Sequence, residues 1–561
     1  MRRVASNEPN DWAALCIACS DERAPCFDEH TLRISHYDHL FCSLSFSSFY
    51  LFYSSLPCMV SISMAGSQRI TSQNSTNSTG IEELVGWKGT SNDRGTIDIL
   101  WSSCVTIFLC CWVSTYPNTG SPKDKWHHSL YDKISLALIS ILGPDFLFGI
   151  ALGQFSSARR SVKLFAKDQS LSNGTKWTYA YAFFTDMGGI HLTSPDFTDG
   201  FPINAEQLHY LVLHKHVDFP DMALMSIAER NTLDTLSRII TVFQAFWFLV
   251  TEIQRVKIGL PMTTLELTAL SFSFVMFATS LLWYAKPSIP YPRPISTKDG
   301  KTVEEIRACA RQSTHPQLPD TWHQTPLSFI GENRFRINAH WNYYVRLCHM
   351  MRFRFVSRPI TTRPWDRFPS DTWLAADAQL APLAAIVLIG FSFLFTLAWN
   401  FHFPTPTEKL LWRVCSIYHT AFSIYGGVYY LIEMLSYTRQ QRTQQRTQQD
   451  TQQPTQRHTM VSMQVQDQEA IPRNSLPRYL KLQIYRQFRN LLNYLRSWRN
   501  ISPEQDPNME VPLRVLYPVT ITCFLYIVCR IYIYFEDFFS LRTQPADVYL
   551  TVNKFIPFLI G

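Results

Sequence analysis

Charge-free apolar runs recur along the chain and set its organisation. Residues 239–251 (IITVFQAFWFLVT) carry no charge, and 267–284 is an uncharged run of 18 residues. Between them lies a connector, 252–264, holding Arg255, Lys257 and a Gly259-Leu260-Pro261 break. A helix needs about 20 apolar residues to cross the hydrocarbon core, so the two runs predict a membrane hairpin. The second arm has the length, and the first reaches it with Arg238 and Glu252 as snorkelling ends. Trp247, Trp283 and Tyr284 suit the headgroup level, and Pro287, Pro290, Pro292 and Pro294 stop the second arm. Similar runs at 99–112, 379–401, 412–433 and 513–535 bring the expected spans to six.

The run at 134–155 (ISLALISILGPDFLFGIALGQF) is apolar but broken at Gly143-Pro144-Asp145. Proline inside a helix costs about 3 kcal/mol, and an aspartate at a span centre about 2.5–3.5 kcal/mol on the insertion scale. Both costs vanish if the chain turns there, which predicts two half-helices dipping in from one side. Charge agrees. Lys and Arg number 7 in 154–236, 14 in 285–378 and 11 in 436–512, while the short connectors carry only Arg255 and Lys257, or Lys409. With the break re-entrant, all three basic loops fall on the cytosolic side, as the positive-inside tendency favours. A full crossing would make seven spans and turn them outward.

These patterns predict an all-α, polytopic helical membrane protein with about six to seven transmembrane helices and large basic cytosolic loops. The expected order is a disordered leader and signal-like or anchor segment (1–65), a glycosylated polar segment (66–96), and the first span with the broken helix (97–157). A cytosolic helical loop (158–236), a hairpin (237–286), a basic Pro/aromatic loop (287–378) and a second hairpin (379–435) follow. A Gln/Arg low-complexity linker (436–475), a basic amphipathic helix (476–500), the last span (511–536) and a tail (537–561) complete the chain.

Composition fits a membrane protein diluted by polar loops: 14% aromatic, 17% charged, net charge +7 and mean hydropathy −0.07. An inner leaflet of anionic lipid attracts such basic loops, so the bilayer is the expected partner, with an unidentified cytosolic protein as a second and nucleic acid excluded. The 13 cysteines are scattered, several of them inside apolar runs, and form no disulfide framework. Cys16, Cys19, Cys26, His30, His36 and His39 lack the tight pairing of a structural zinc site. Ser63-Met64-Ala65 resembles a signal cleavage site, and Asn74 and Asn77 follow it as paired glycosylation acceptors. Asn173 and Asn500 head isolated acceptor tripeptides of the kind chance produces.

In 158–236, Asn204 is placed to cap a helix, and His209, His214 and His216 read as surface or capping groups. The tract at 439–457 (RQQRTQQRTQQDTQQPTQR) has no apolar content and is expected to be disordered. Beyond it, Leu480, Ile484, Phe488, Leu491, Leu495 and Trp498 recur every three or four residues among Arg and Lys, which predicts a helix lying on the membrane surface. Arg514 and Arg530 are read as flanking the last span.

From Gly86-Trp87 to Pro294 the chain resembles a fungal family of uncharacterised multi-pass membrane proteins. The matching pieces include 94–102 (RGTIDILWS), Leu142-Gly143-Pro144-Asp145, Ala158-Arg159-Arg160 and Asp186-Met187-Gly188-Gly189. Further pieces are 207–212 (QLHYLV), 260–267 (LPMTTLEL) and Lys286-Pro287. Tyr284 stands where the family often has a second tryptophan. The resemblance implies a multi-pass topology and no activity.

The sequence contains no nucleophile elbow, phosphate loop, metal motif or paired-carboxylate signature, and its reading requires no cofactor. The expected function is therefore non-enzymatic, receptor-like or scaffold, in the secretory pathway or plasma membrane. A transporter or channel using Asp145 at the broken helix is the alternative, since an intramembrane acid marks a functional site by default. A lipid-modifying enzyme with His419 or His402 as base is a further one.

Overall fold

The computed structural model describes residues 83–90, 94–168, 176–220, 232–313, 315–316, 318–331, 335–353, 355–452, 498–502 and 506–551. Twelve helices account for most of them. Five are long and apolar enough to cross a membrane, or six if one bent pair counts as a single span. They include α1 (Thr96–Val113), which leads to the bent pair α2 (Trp126–Leu142) and α3 (Pro144–Lys167). The short α4 (Tyr179–Asp186) and α5 (Ala205–Leu213) precede the hairpin of α6 (Thr232–Lys257) and α7 (Thr264–Leu282). Then come α8 (Val303–Ser313), α9 (Arg336–Met350), α10 (Ala381–Leu394, prolonged to Asn400 by a 3-10 turn), α11 (Pro406–Gln452) and α12 (Leu513–Phe539).

The span expected at 412–433 falls within α11, which is not among the five apolar helices. Arg413, His419, Gly426 and Gly427 dilute it. Its outward face is nevertheless apolar, with Leu410, Val414, Ile417, Ile424, Val428, Leu431 and Ile432 all exposed. Comparable belts run along α6 (Ile239, Phe243, Phe246, Ile253), α10 (Ile386, Ile389, Phe393) and α12 (Ile521, Phe524, Val528, Ile531). Beyond the apolar part, α11 continues to Gln452 and so takes in the first residues of the tract expected to be disordered. Gln and Arg are good helix formers, and an established helix adds residues more easily than it nucleates; Pro454 is the first residue to oppose it.

Hydrogen bonds fix which helix ends lie together. At one end, strand β1 (Leu84–Val85) pairs with β5 (Gln544–Pro545), joining the chain before α1 to the chain after α12. Arg255, near the α6–α7 turn, donates to the carbonyls of Val548 and Leu550 at 2.8 and 3.0 Å. Arg542 bonds Glu408 at the start of α11. At the other end, Tyr344 of α9 meets Thr520 of α12, and Asn118 meets Ser370. The bundle helices thus run alternately between two ends.

The break at Gly143-Pro144-Asp145 is an elbow of 120° between α2 and α3. Proline at the first position of a helix loses nothing, so Pro144 starts α3 there. A Cβ on Gly143 would come within 2.6 Å of both Asp145 Oδ1 and the Tyr526 hydroxyl. Farther along α3, Gly149 and Gly153 admit Trp373 and the backbone of Leu374, which a Cβ would meet at 2.4 Å in each case. The segment 370–377 therefore lies directly on α3.

The expectation of an all-helical chain needs correction. Beside α4 and α5 sits a three-stranded sheet of order β3-β2-β4: Ile190–Ser194 (β2) antiparallel to Phe197–Ile203 (β3) and parallel to Arg293–Ser296 (β4). Ile190, Leu192, Phe201 and Ile203 bury their side chains against Phe183, Phe184, Leu208 and Leu211. Asn204 caps α5 as expected, accepting from the Gln207 N–H at 2.8 Å while Gln207 Oε1 accepts from the Asn204 N–H. Asp196, in the β2–β3 turn, accepts from the Val303 and Glu304 N–H groups and so starts α8. Arg358 clamps Asp124 and Asp132 at 2.7 Å each, holding the loop after α9 to the start of α2.

Asp186 closes α4 and accepts from the Ala205 N–H at 2.9 Å. Burial pushes its pKa from 3.8 up to about 6. A carboxyl whose folded pKa is raised favours the fold when protonated, and that contribution is lost as pH climbs through about 6. Asp186→Asn keeps the acceptor and removes the charge. Its melting temperature should exceed the native one above pH 6 by a few degrees and match it below pH 4, as a pH series of thermal scans in detergent would show.

Candidate functional site

The centre of the bundle is charged. Asp145 sits in the first turn of α3, where the positive end of the helix favours a carboxylate. Tyr526, halfway along α12, donates to its Oδ1 at 3.2 Å. One turn on, Arg530 is wholly buried and acts electrostatically on Asp145 without touching it. Its Nε donates to the Tyr534 hydroxyl at 3.0 Å. Its guanidinium carbon lies 4.7–5.2 Å from the ring centres of Phe272, Phe391, Phe395 and Tyr534. Such a cage offsets part of the desolvation cost through the negative ring faces, yet Nη1 and Nη2 have no hydrogen-bond acceptor. His419 of α11 meets Tyr526 edge to face at 4.7 Å between ring centres, is also wholly buried, and both its ring nitrogens lack a partner. The Tyr534 hydroxyl bonds the Ile141 carbonyl, fixing the end of α2 to the C-terminal part of α12.

Two further clusters bracket this centre. Towards the end that carries the sheet, the buried Lys286 ammonium donates to the Tyr116 carbonyl (2.7 Å), Gln154 Oε1 (2.8 Å) and Asn118 Oδ1 (3.2 Å). Burial and the nearby Arg238 guanidinium pull its pKa well below the ordinary lysine value, while three acceptors match the three N–H bonds of the ammonium. Towards the opposite end, Arg94 pairs with the buried Glu266, whose Oε2 also accepts from the Thr263 N–H and hydroxyl at 2.9 Å. A narrow crevice beside the elbow, with room for about one water molecule, is lined by Cys110, Ser114, Ser140, Pro144, Phe272 and Thr279.

Residues 69–320 match a family of unknown function, DUF8562. No curated protein and no solved structure matches the chain. The matched stretch is a little under half of the chain and contains every motif of the resemblance. It contributes Gly143, Asp145, Glu266 and Lys286 to the clusters above, while Tyr526, Arg530 and His419 come from outside it.

Asp145 is thus placed among groups that the sequence reading did not join to it. Arg530 does not flank the last helix but lies inside, because its face of α12 turns inward. The usable signal was spacing: Tyr526, Arg530, Tyr534 and Asp537 recur at four, four and three residues in an otherwise apolar helix, which puts them on one face. His209 pairs with Asp168 at 2.9 Å and His214 with the Tyr210 carbonyl. Trp498 is exposed, whereas Leu480, Ile484, Phe488, Leu491, Leu495, Asn74 and Asn77 lie outside the described residues.

Proposed function

We propose that this chain is an integral membrane protein of non-enzymatic, receptor-like or scaffold character, with α2 and α3 as a re-entrant hairpin. The observation that carries the membrane reading is the inversion of its polarity: exposed apolar belts on the long helices surround buried charged groups. In water such belts would drive association, and in lipid they are the expected outer face. The receptor-like or scaffold part rests on the folded region at one end, where the sheet, α4, α5, α8 and the loop after α9 give a partner something to bind. The three basic loops would then lie on the cytosolic side, and the glycan acceptors Asn74 and Asn77 opposite.

The protein should stay with membranes through alkaline carbonate extraction. On a cysteine-free background, Lys123→Cys and Lys167→Cys, before α2 and at the end of α3, should react with an impermeant maleimide from the same side. Lys257→Cys should react from the opposite one. Labelling of the first two from opposite sides would mean a full crossing and dissolve the re-entrant hairpin. Co-purification from native membranes tests the scaffold role.

A second reading, ion transport, is favoured by one specific observation: Asp145 at the break between two half-helices is buried near Arg530 and His419, whose Nη groups and ring nitrogens have no partner. Intramembrane ionisable residues commonly mark ion pathways.

A further inference from the structure

We propose that the inward face of α12 carries a proton path through the bundle, with Asp145 and Asp537 as the two proton-carrying carboxyls on either side of Arg530. This rests on the transport reading and names its ion. Asp537 is wholly buried, two turns beyond Arg530 on the same face, which places it about 10 Å away along the axis. Its carboxyl faces the Thr268 and Thr264 hydroxyls, the hydrogen-bonding groups beside it. Nearby, the Thr264 and Ser540 hydroxyls share a hydrogen bond of 3.0 Å.

Charge counting makes the case. Arg530 acts electrostatically on both Asp145 and Asp537, and one guanidinium balances one carboxylate. Burying an uncompensated charge costs far more than burying a neutral carboxyl, so the second carboxyl needs a proton. The charge balance is the same whichever of the two carries it. The other ionisable groups facing these carboxyls add no second positive charge. Tyr526, Tyr534 and Cys104 are neutral in their ordinary state. His419, with no hydrogen-bond partner, is buried most cheaply as the neutral ring. Glu536, buried next to Asp537 and acting on it electrostatically, accepts from the Tyr532 hydroxyl at 3.3 Å and is a further acid, which adds to the need for a proton on Asp537.

Around Arg530 the chain offers groups that can order water: its four Nη–H bonds and both ring nitrogens of His419. Unmatched buried polar groups are where internal water binds. Beside Pro144 at the elbow, the crevice lined by Ser114, Ser140 and Thr279 offers further hydroxyls. It holds about one water molecule, and carboxyls that take up and release protons make the proton the ion proposed. The step is a plain transfer: the O–H bond of one carboxyl breaks, protons shift along ordered water, and an O–H bond forms on the other carboxylate.

The full-length protein is reconstituted into vesicles of phosphatidylcholine and phosphatidylglycerol containing a pH-sensitive dye, and a potassium diffusion potential with valinomycin drives flux. Acidification above that of protein-free vesicles is expected. It should be lost in Asp145→Asn and in Asp537→Asn, and kept in Asp320→Asn on the far surface. Should either isosteric variant fail to fold, a hydrophobic carbodiimide on the native protein replaces it: an adduct on Asp537 with loss of flux supports the path, and an adduct with flux unchanged overturns it. Folded variants that conduct like the native protein also overturn it. If sodium or potassium passes and protons do not, the proton assignment fails and the transport reading stands. If none of the three ions passes, both fall.

Discussion

Arg530→Met is expected to cost about 3–5 kcal/mol of stability, the range for removing one partner of a buried charge pair. Methionine fills the volume among Phe272, Phe391 and Phe395 but supplies no charge, so Asp145 is left uncompensated at the centre of the bundle. Four ring contacts to the guanidinium go with it. Adding Asp145→Asn should return part of the loss, because the double variant buries no net charge. Groups that share an environment couple by about 0.5–3 kcal/mol, and the four-member cycle measures that coupling directly. Thermal unfolding in detergent, followed by tryptophan fluorescence and gel filtration, is the readout. A single substitution costing under about 1 kcal/mol, or a double variant no better than the sum of the singles, would show that Arg530 is not the counter-charge of Asp145.

That pair also shows where sequence reading stops. Continuous apolar runs announced α1, α6, α7, α10 and α12, because length and absence of charge are properties of a single segment. The elbow at Gly143-Pro144-Asp145 was legible for the same reason: proline and glycine act on their own backbone. Asn204 as a cap needs only Gln207, three residues away. The strands were not legible, since Ile190–Ser194 has few apolar positions and its partner β4 lies about a hundred residues further on. The roles of Arg530 and Lys286 were hidden too. Arg530 sits in α12, but its counter-charge Asp145 comes from α3, nearly 400 residues earlier. Nothing along α12 names Asp145 as its companion; only its inward stripe says that a companion is needed.

Lys286→Met should be nearly as damaging, and for a different reason. Here the loss is of hydrogen bonds rather than of charge balance. The ammonium ties three segments together: the turn after α1 through Tyr116 and Asn118, the middle of α3 through Gln154, and its own position just past α7. Methionine would leave three acceptors without that donor, each costing about 1–3 kcal/mol if it stays buried and unmatched. Relaxation will recover some of this, so a net loss of about 3–5 kcal/mol is expected. Lys286→Arg should not restore stability. A planar guanidinium spreads its donors along a fork, whereas the three oxygens here converge on one nitrogen. Combining Lys286→Met with Gln154→Leu should recover part of the loss, since an apolar pair removes an acceptor together with its donor. Because Gln154 lies between the elbow and the exposed end of α3, loosening the clip should free that end first. Trypsin should then cut at Lys163 and Lys167 faster in Lys286→Met than in the native protein, at temperatures where both keep their gel-filtration profile. Equal cleavage rates together with an unchanged melting temperature would mean that α3 is held by its contact with Trp373 and Leu374 alone.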